Sequence, residues 1–267
     1  MLLERMRGGL YGFAVGDLLE WPADACGQSA ARMRQESGGC AAPCAAPADA
    51  SLTLAAMDSL CGGFDMQDLV RRFSPGWQPG AHPRVLPLAF FLFPSVGTEV
   101  ARSPCAMGRI HAVSALTDAR PDSLVACGLY VCIACGLLAG QGTERAVRQG
   151  VLSAMRYYLE HEGGRFQREL CRWVGMADTQ TFAGRAPDGT DAFRTAVHCL
   201  LCTQTYPACV QSAARLGGRP AAAAAGSLAG IAYGEAGIPA QWRMCIPLRG
   251  EMDSLCAKMY AFCALYA

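Results

Sequence analysis

Two segments of this chain place glycine at every fourth position: Gly8, Gly12 and Gly16 near the start, and Gly226, Gly230 and Gly234 near the end. Both lie in apolar runs of helical period. A glycine inside a helix costs about 1 kcal/mol relative to alanine, and residues four apart share one face. A cost repeated along one face points to a backbone that must approach that face closely. The simplest structure that meets this demand is a compact helical bundle with the first and penultimate long helices in its core, each approached closely by another helix backbone.

The helical period continues through most of the chain, and strand-like alternation is scarce. The pattern predicts helices over 3–19, 51–61, 65–73, 85–93, 107–116, 122–140, 143–160, 165–173, 191–203, 207–216, 219–235 and 251–266. Pro75-Gly76, Pro79-Gly80, Gly163-Gly164, Gly217-Gly218 and Gly237 punctuate the gaps. Segments 26–50 and 174–190 read as irregular, and the first looks like a mobile loop. No stretch resembles a linker, so residues 1–267 are expected to form one domain.

Composition narrows the function classes. Hydrophobic residues make up 52% and charged residues 17%, with alanine and glycine prominent, which fits close helix packing. A net charge of +1 leaves no electrostatic footprint for nucleic acid or an anionic membrane. Residues 123–140 carry no charge but sit at the lower length limit for a membrane span, and they read instead as a helix buried all round. The 15 cysteines are odd in number, and the opening MLLERMRGGLYGF lacks a signal-like apolar stretch. A reducing, cytoplasmic location is therefore expected, with most cysteines acting as small buried apolar residues. Cys132/Cys135 and Cys199/Cys202 offer four thiolates at a zinc-like spacing, yet both pairs lie in apolar helical runs, where core packing is the simpler reading. The histidines at 82, 111, 161 and 198 form no sequence cluster. No nucleophile elbow, P-loop or dinucleotide fingerprint is present.

Several segments in a fixed order carry a resemblance. Gly12 to Asp24 (GFAVGDLLEWPAD) resembles G-x-A-x-G-D-A-L-G-x-P-x-E. Gly80 to Leu88 resembles G-x-x-M-R-x-x-P-L, and Ser114 to Pro121 resembles S-x-x-T-H-x-x-P. Ala213 to Ala222 (AARLGGRPAA) is similar to A-x-x-x-G-G-D-T-D-T, and its continuation through Tyr233-Gly234 to Ile238-Pro239-Ala240-Gln241-Trp242 is similar to A-G-x-x-Y-G…I-P-x-x-W. Together these segments resemble the ADP-ribosylglycohydrolases, the dinitrogenase reductase-activating glycohydrolase-like proteins among them. The resemblance implies an all-α, single-domain orthogonal helical bundle with its cleft at the helix ends.

The resemblance also implies hydrolysis of a glycosidic bond at the anomeric carbon of ADP-ribose, assisted by two magnesium ions. Hard cations need oxygen ligands, and two together need several carboxylates. The family draws these from an early T-D-D-T and a late D-T-D-T. Here the early segment aligns with Pro47-Ala48-Asp49-Ala50, leaving Asp49 as the surviving metal ligand. The late one is Arg219-Pro220-Ala221-Ala222, with a guanidinium and a methyl group at the carboxylate positions. No cofactor is therefore expected, although magnesium serves the family. Asp24 falls at an acidic position that contributes to catalysis in the family, or is a solvated loop residue. His82, Arg84, Asp118 and Arg219 fall at ligand-binding positions; Asp118 replaces the histidine of the T-H pair, and for His82 a surface residue is the simpler reading. Asp17 is expected to order the end of the first helix. Arg219 would either hold a phosphate at a helix N-terminus or neutralise the vacated metal site by pairing with Asp49.

Three functional readings follow: a pseudoenzyme that retains binding of ADP-ribose or a related nucleotide; an active hydrolase with altered metal dependence, using Asp24 or Asp49; and an interaction protein that uses the bundle surface. The expected partners are ADP-ribose or an ADP-ribosylated protein, with no nucleic acid and no membrane, and the chain is expected to be a monomer.

Overall fold

The computed structural model describes residues 1–18, 48–73, 82–185 and 191–265, with side chains from Ala50 and Arg84 onward in the second and third stretches. Every regular element among them is helical. In chain order these are α1 (Leu2–Leu18), α2 (Ala48–Cys61), α3 (Met66–Phe73), α4 (Leu86–Val96), α5 (Pro104–Ala115), α6 (Pro121–Leu138), α7 (Thr143–His161), α8 (Gln167–Trp173), α9 (Thr179–Ala183), α10 (Ala192–Cys202), α11 (Tyr206–Tyr233), α12 (Ala240–Met244) and α13 (Arg249–Ala264). Short 3-10 turns at His82–Val85, Val100–Arg102, Val174–Ala177 and Glu235–Gly237 join some of them.

The glycine stripes behave as the sequence predicts. A Cβ on Gly12 would meet the carbonyl oxygen of Gly226, one on Gly8 that of Gly230, and one on Gly16 that of Ala222. The axes of α1 and α11 therefore approach to backbone contact along their length. Around this pair pack α10 and α6 against α11, and α13 against α1. α6 is buried on every side from Leu124 to Leu138. It is long and apolar enough to pass a membrane-span test, with 83% of it buried inside the structure. It has no polar face because it has no solvent face.

Local chemistry sets the helix starts. Ser103 Oγ accepts from the Ala106 N–H at 3.2 Å, Asp191 from Arg194 at 3.0 Å and Thr205 from Ala208 at 3.4 Å, each an N-cap. Pro104 and Pro121 occupy first-turn positions, where a missing N–H costs nothing. The predicted break between 216 and 219 is present as a kink. Gly218 adopts φ 67° and ψ −163°, and Pro220 follows it. Segment 174–190, expected to be irregular, contains a 3-10 turn and the five-residue α9, whose cap is Asp178. α4 runs past its expected end at residue 93 and includes Pro94. The Phe90 carbonyl, which Pro94 cannot serve, instead accepts the Cys263 thiol at 3.5 Å from α13.

Candidate functional site

The kink in α11 is the centre of the site. Gly16 packs on the backbone of Ala222 and Ala223, which carries the next residue, Asp17, up to the kink. Arg219 Nε lies 3.4 Å from Asp17 Oδ1. Asp17 is buried at 3%, whereas the Arg219 side chain is 58% exposed. Pro220 has no N–H, and Ala221 and Ala222 are fully buried. The segment that the resemblance aligns with metal carboxylates thus offers a guanidinium already directed at an aspartate, then two methyl groups packed in the core.

The described partner of Arg219 is Asp17, at the end of α1, and the expected pairing with the Asp49 side chain lies outside the described residues. The arrangement weakens one electrostatic expectation. A guanidinium 58% exposed is screened by water, so its repulsion of a cation is far smaller than in a dry cleft. What remains is the donor chemistry, because alanine side chains provide no oxygen. Among the described residues no group of three or more His, Cys, Asp or Glu side chains gathers to hold an ion. The described side chains therefore do not fit the two magnesium ions that the resemblance implies.

The other nominated residues surround this centre unevenly. Arg84 sits on the 3-10 turn His82–Val85, which packs against α2, α5, α6 and α11. It is buried at 2% exposure. Asp118 sits between α5 and α6. Arg120 grips it through Nε at 2.9 Å and Nη2 at 2.6 Å, and Ser123 Oγ donates to it at 2.5 Å. The Arg120 hydrogen bonds, with help from Ser123, hold the Asp118 carboxyl well below the usual range despite its burial. Both of its oxygens are thus engaged within the start of α6. Asp24 and the side chains of Asp49 and His82 lie outside the described residues.

Beside Asp118, Arg172 contacts Asp122 and reaches Asp191 at 2.6 Å, tying α6, α8 and the N-cap of α10 together. The sequence offered no periodic or motif signal for this network, which joins residues far apart in the chain. A groove of about 780 Å³ lies elsewhere, between α6, α7 and the turn Val100–Arg102. None of the nominated residues lines it. The volume of that groove is therefore no guide to the chemistry, and the kink is the better candidate.

Comparison with known proteins bears on this geometry. A family model described as ADP-ribosylglycohydrolase matches residues 75–265. The match takes in the segments at 80–88, 114–121 and 213–242 and leaves the opening segment outside it. A solved structure titled "ADP-ribosylglycohydrolase-related protein complex" aligns with a TM-score of 0.70 at 20% sequence identity, covering 98% of each chain. At that identity the likeness speaks for the fold. The search of curated proteins finds no match. With a family model spanning well over half of its residues, this chain belongs to the ADP-ribosylglycohydrolase family.

Proposed function

We propose that this chain is a catalytically impaired ADP-ribosylglycohydrolase, a pseudoenzyme that lacks the dinuclear magnesium site and binds ADP-ribose or a related nucleotide, free or attached to protein, without a metal. The observation that supports this reading is the Arg219–Asp17 contact at the α11 kink, followed by the buried methyl groups of Ala221 and Ala222. Oxygen ligands are what a pair of hard divalent cations requires, and two of the positions that supply them in the family carry none here. In their place stands a guanidinium at the start of a fifteen-residue helical stretch, Arg219 to Tyr233, where an anionic group is electrostatically favoured.

Calorimetry with ADP-ribose, with and without magnesium, tests the reading, alongside release of ADP-ribose from a modified protein. Metal-independent binding with no release is the expected result. Magnesium-dependent binding or turnover would replace this reading with an active hydrolase. The Arg219→Ala variant then tests the phosphate contact. Weaker ADP-ribose binding is expected, and unchanged affinity would remove Arg219 from the ligand site.

A further inference from the structure

The two Cys-x-x-Cys pairs share a spacing and differ in surroundings. On α6, Cys132 and Cys135 are 3% and 0% exposed, sealed among apolar neighbours. On α10, Cys199 is buried, but Cys202 is the last helical residue and is exposed. Cys202 Sγ lies 3.6 Å from His198 Nε2 and 3.4 Å from the Ala183 carbonyl oxygen. The thiol proton therefore has two acceptors: a carbonyl that holds it at rest and an imidazole that can remove it. No third His, Cys, Asp or Glu joins them in a metal-holding group among the described residues, which sets this pair apart from a zinc site.

Backbone geometry brings in the second thiol. Residues three apart in an α-helix have Cα atoms about 5 Å apart, within the span of roughly 4.4–6.8 Å that a disulfide bridges. Thr203 leaves the helix in an extended conformation, φ −125° and ψ 156°, and its Oγ1 donates to the Cys199 carbonyl at 2.7 Å. We infer that Cys202 is a reactive thiol site, with His198 as its proton acceptor and Cys199 as the resolving thiol, and that hydrogen peroxide converts the pair to a disulfide.

The chemistry balances. His198 takes the Cys202 proton, and the thiolate attacks one peroxide oxygen. The O–O bond breaks to leave a sulfenic acid on Cys202, and the departing hydroxide takes the proton from His198 to form water. The Cys199 thiol then attacks the Cys202 sulfur, the S–O bond breaks, and a second water leaves. Two thiols are oxidised and one peroxide is reduced. Burial raises the Cys202 thiol above its ordinary value, so attack requires a proton acceptor, and His198 is the base in contact with it.

The test uses the intact chain, limiting iodoacetamide at neutral pH, and peptide mapping by mass spectrometry. Cys202 is expected to alkylate at least about tenfold faster than Cys105 and Cys171, because His198 accepts its proton as the sulfur attacks. Those two cysteines are also exposed. The His198→Gln variant is expected to bring the Cys202 rate down to theirs while leaving their rates unchanged. Hydrogen peroxide is then expected to link Cys199 to Cys202 and to leave Cys132 and Cys135 as thiols. With Cys199→Ser, dimedone is expected to trap a sulfenic acid on Cys202. Equal alkylation rates, a Cys202 rate indifferent to His198→Gln, or a disulfide from Cys202 to Cys209 would overturn the assignment.

Discussion

A methyl group added at position 12 would fall on the Gly226 carbonyl, and neither backbone can yield without parting α1 from α11. The Gly12→Ala variant is therefore expected to lose about 2–3 kcal/mol of stability, even after the gain of about 1 kcal/mol in helix propensity. Gly108, exposed in the middle of α5, would have nothing within 4 Å of its Cβ. There Gly108→Ala should gain about 0.5–1 kcal/mol, and urea unfolding of the two variants separates the cases. His111 is a different kind of residue constraint. Its Nε2 lies 2.9 Å from the Tyr158 hydroxyl, and its ring stacks on Tyr158. Burial lowers its pKa, opposed by Glu162 and assisted by Arg165. The folded state then binds fewer protons than the unfolded chain, so stability should fall as pH drops below the ordinary histidine value of about 6.5. In His111→Gln that part of the loss should vanish. Urea midpoints at about pH 7.5 and pH 5.5 that fall equally in both proteins would refute the assignment. The glycine stripes were legible in sequence because steric demand is written in residue identity. The partner of Arg219 was not, because Asp17 lies 202 positions away in the chain and the register of α1 on α11 decides who meets whom.

At the scale of elements, the helices followed from apolar period and caps, and the exceptions have physical causes. α9 has five residues and is too short to show a period, so the Asp178 cap was its one visible sign. The expected end of α4 at residue 93 falls just before Pro94, and the Cys263 thiol that satisfies the freed carbonyl could not be inferred from the local sequence. The buried C-terminus of α6 is closed in a comparable way from outside. Arg5 on α1 donates to the Leu137 carbonyl at 2.8 Å and the Leu138 carbonyl at 3.2 Å. A cation there meets both the unsatisfied carbonyls and the negative end of the helix dipole. Arg5→Met keeps most of the stem and removes the donors, and it should cost about 1–2 kcal/mol. Thermal unfolding would show the loss as a lower Tm, and an unchanged Tm would mean that water replaces the guanidinium without penalty.

For the whole molecule, the proposed loss of metal predicts an absence of linkage. A ligand present at a hundredfold its Kd adds about 2.7 kcal/mol to folded stability, which for a chain of this size is several degrees in Tm at about 2–4 °C per kcal/mol. Millimolar magnesium should instead leave Tm within about 1 °C; a rise of several degrees would reveal a site built partly from Asp24, Asp49 or other residues beyond those described. The amino-acid sequence by itself determined the all-helical class, the need for a close backbone approach along each glycine stripe and the missing late carboxylates, since period, side-chain volume and donor type are properties of residues. Tertiary structure alone decided that Arg219 faces Asp17, that Asp118 is spent on Arg120 and Ser123, and that one Cys-x-x-Cys pair is sealed while the other reaches solvent. Those outcomes depend on helix register and burial, which arise only when the packed faces exclude water from one set of groups and leave it to another.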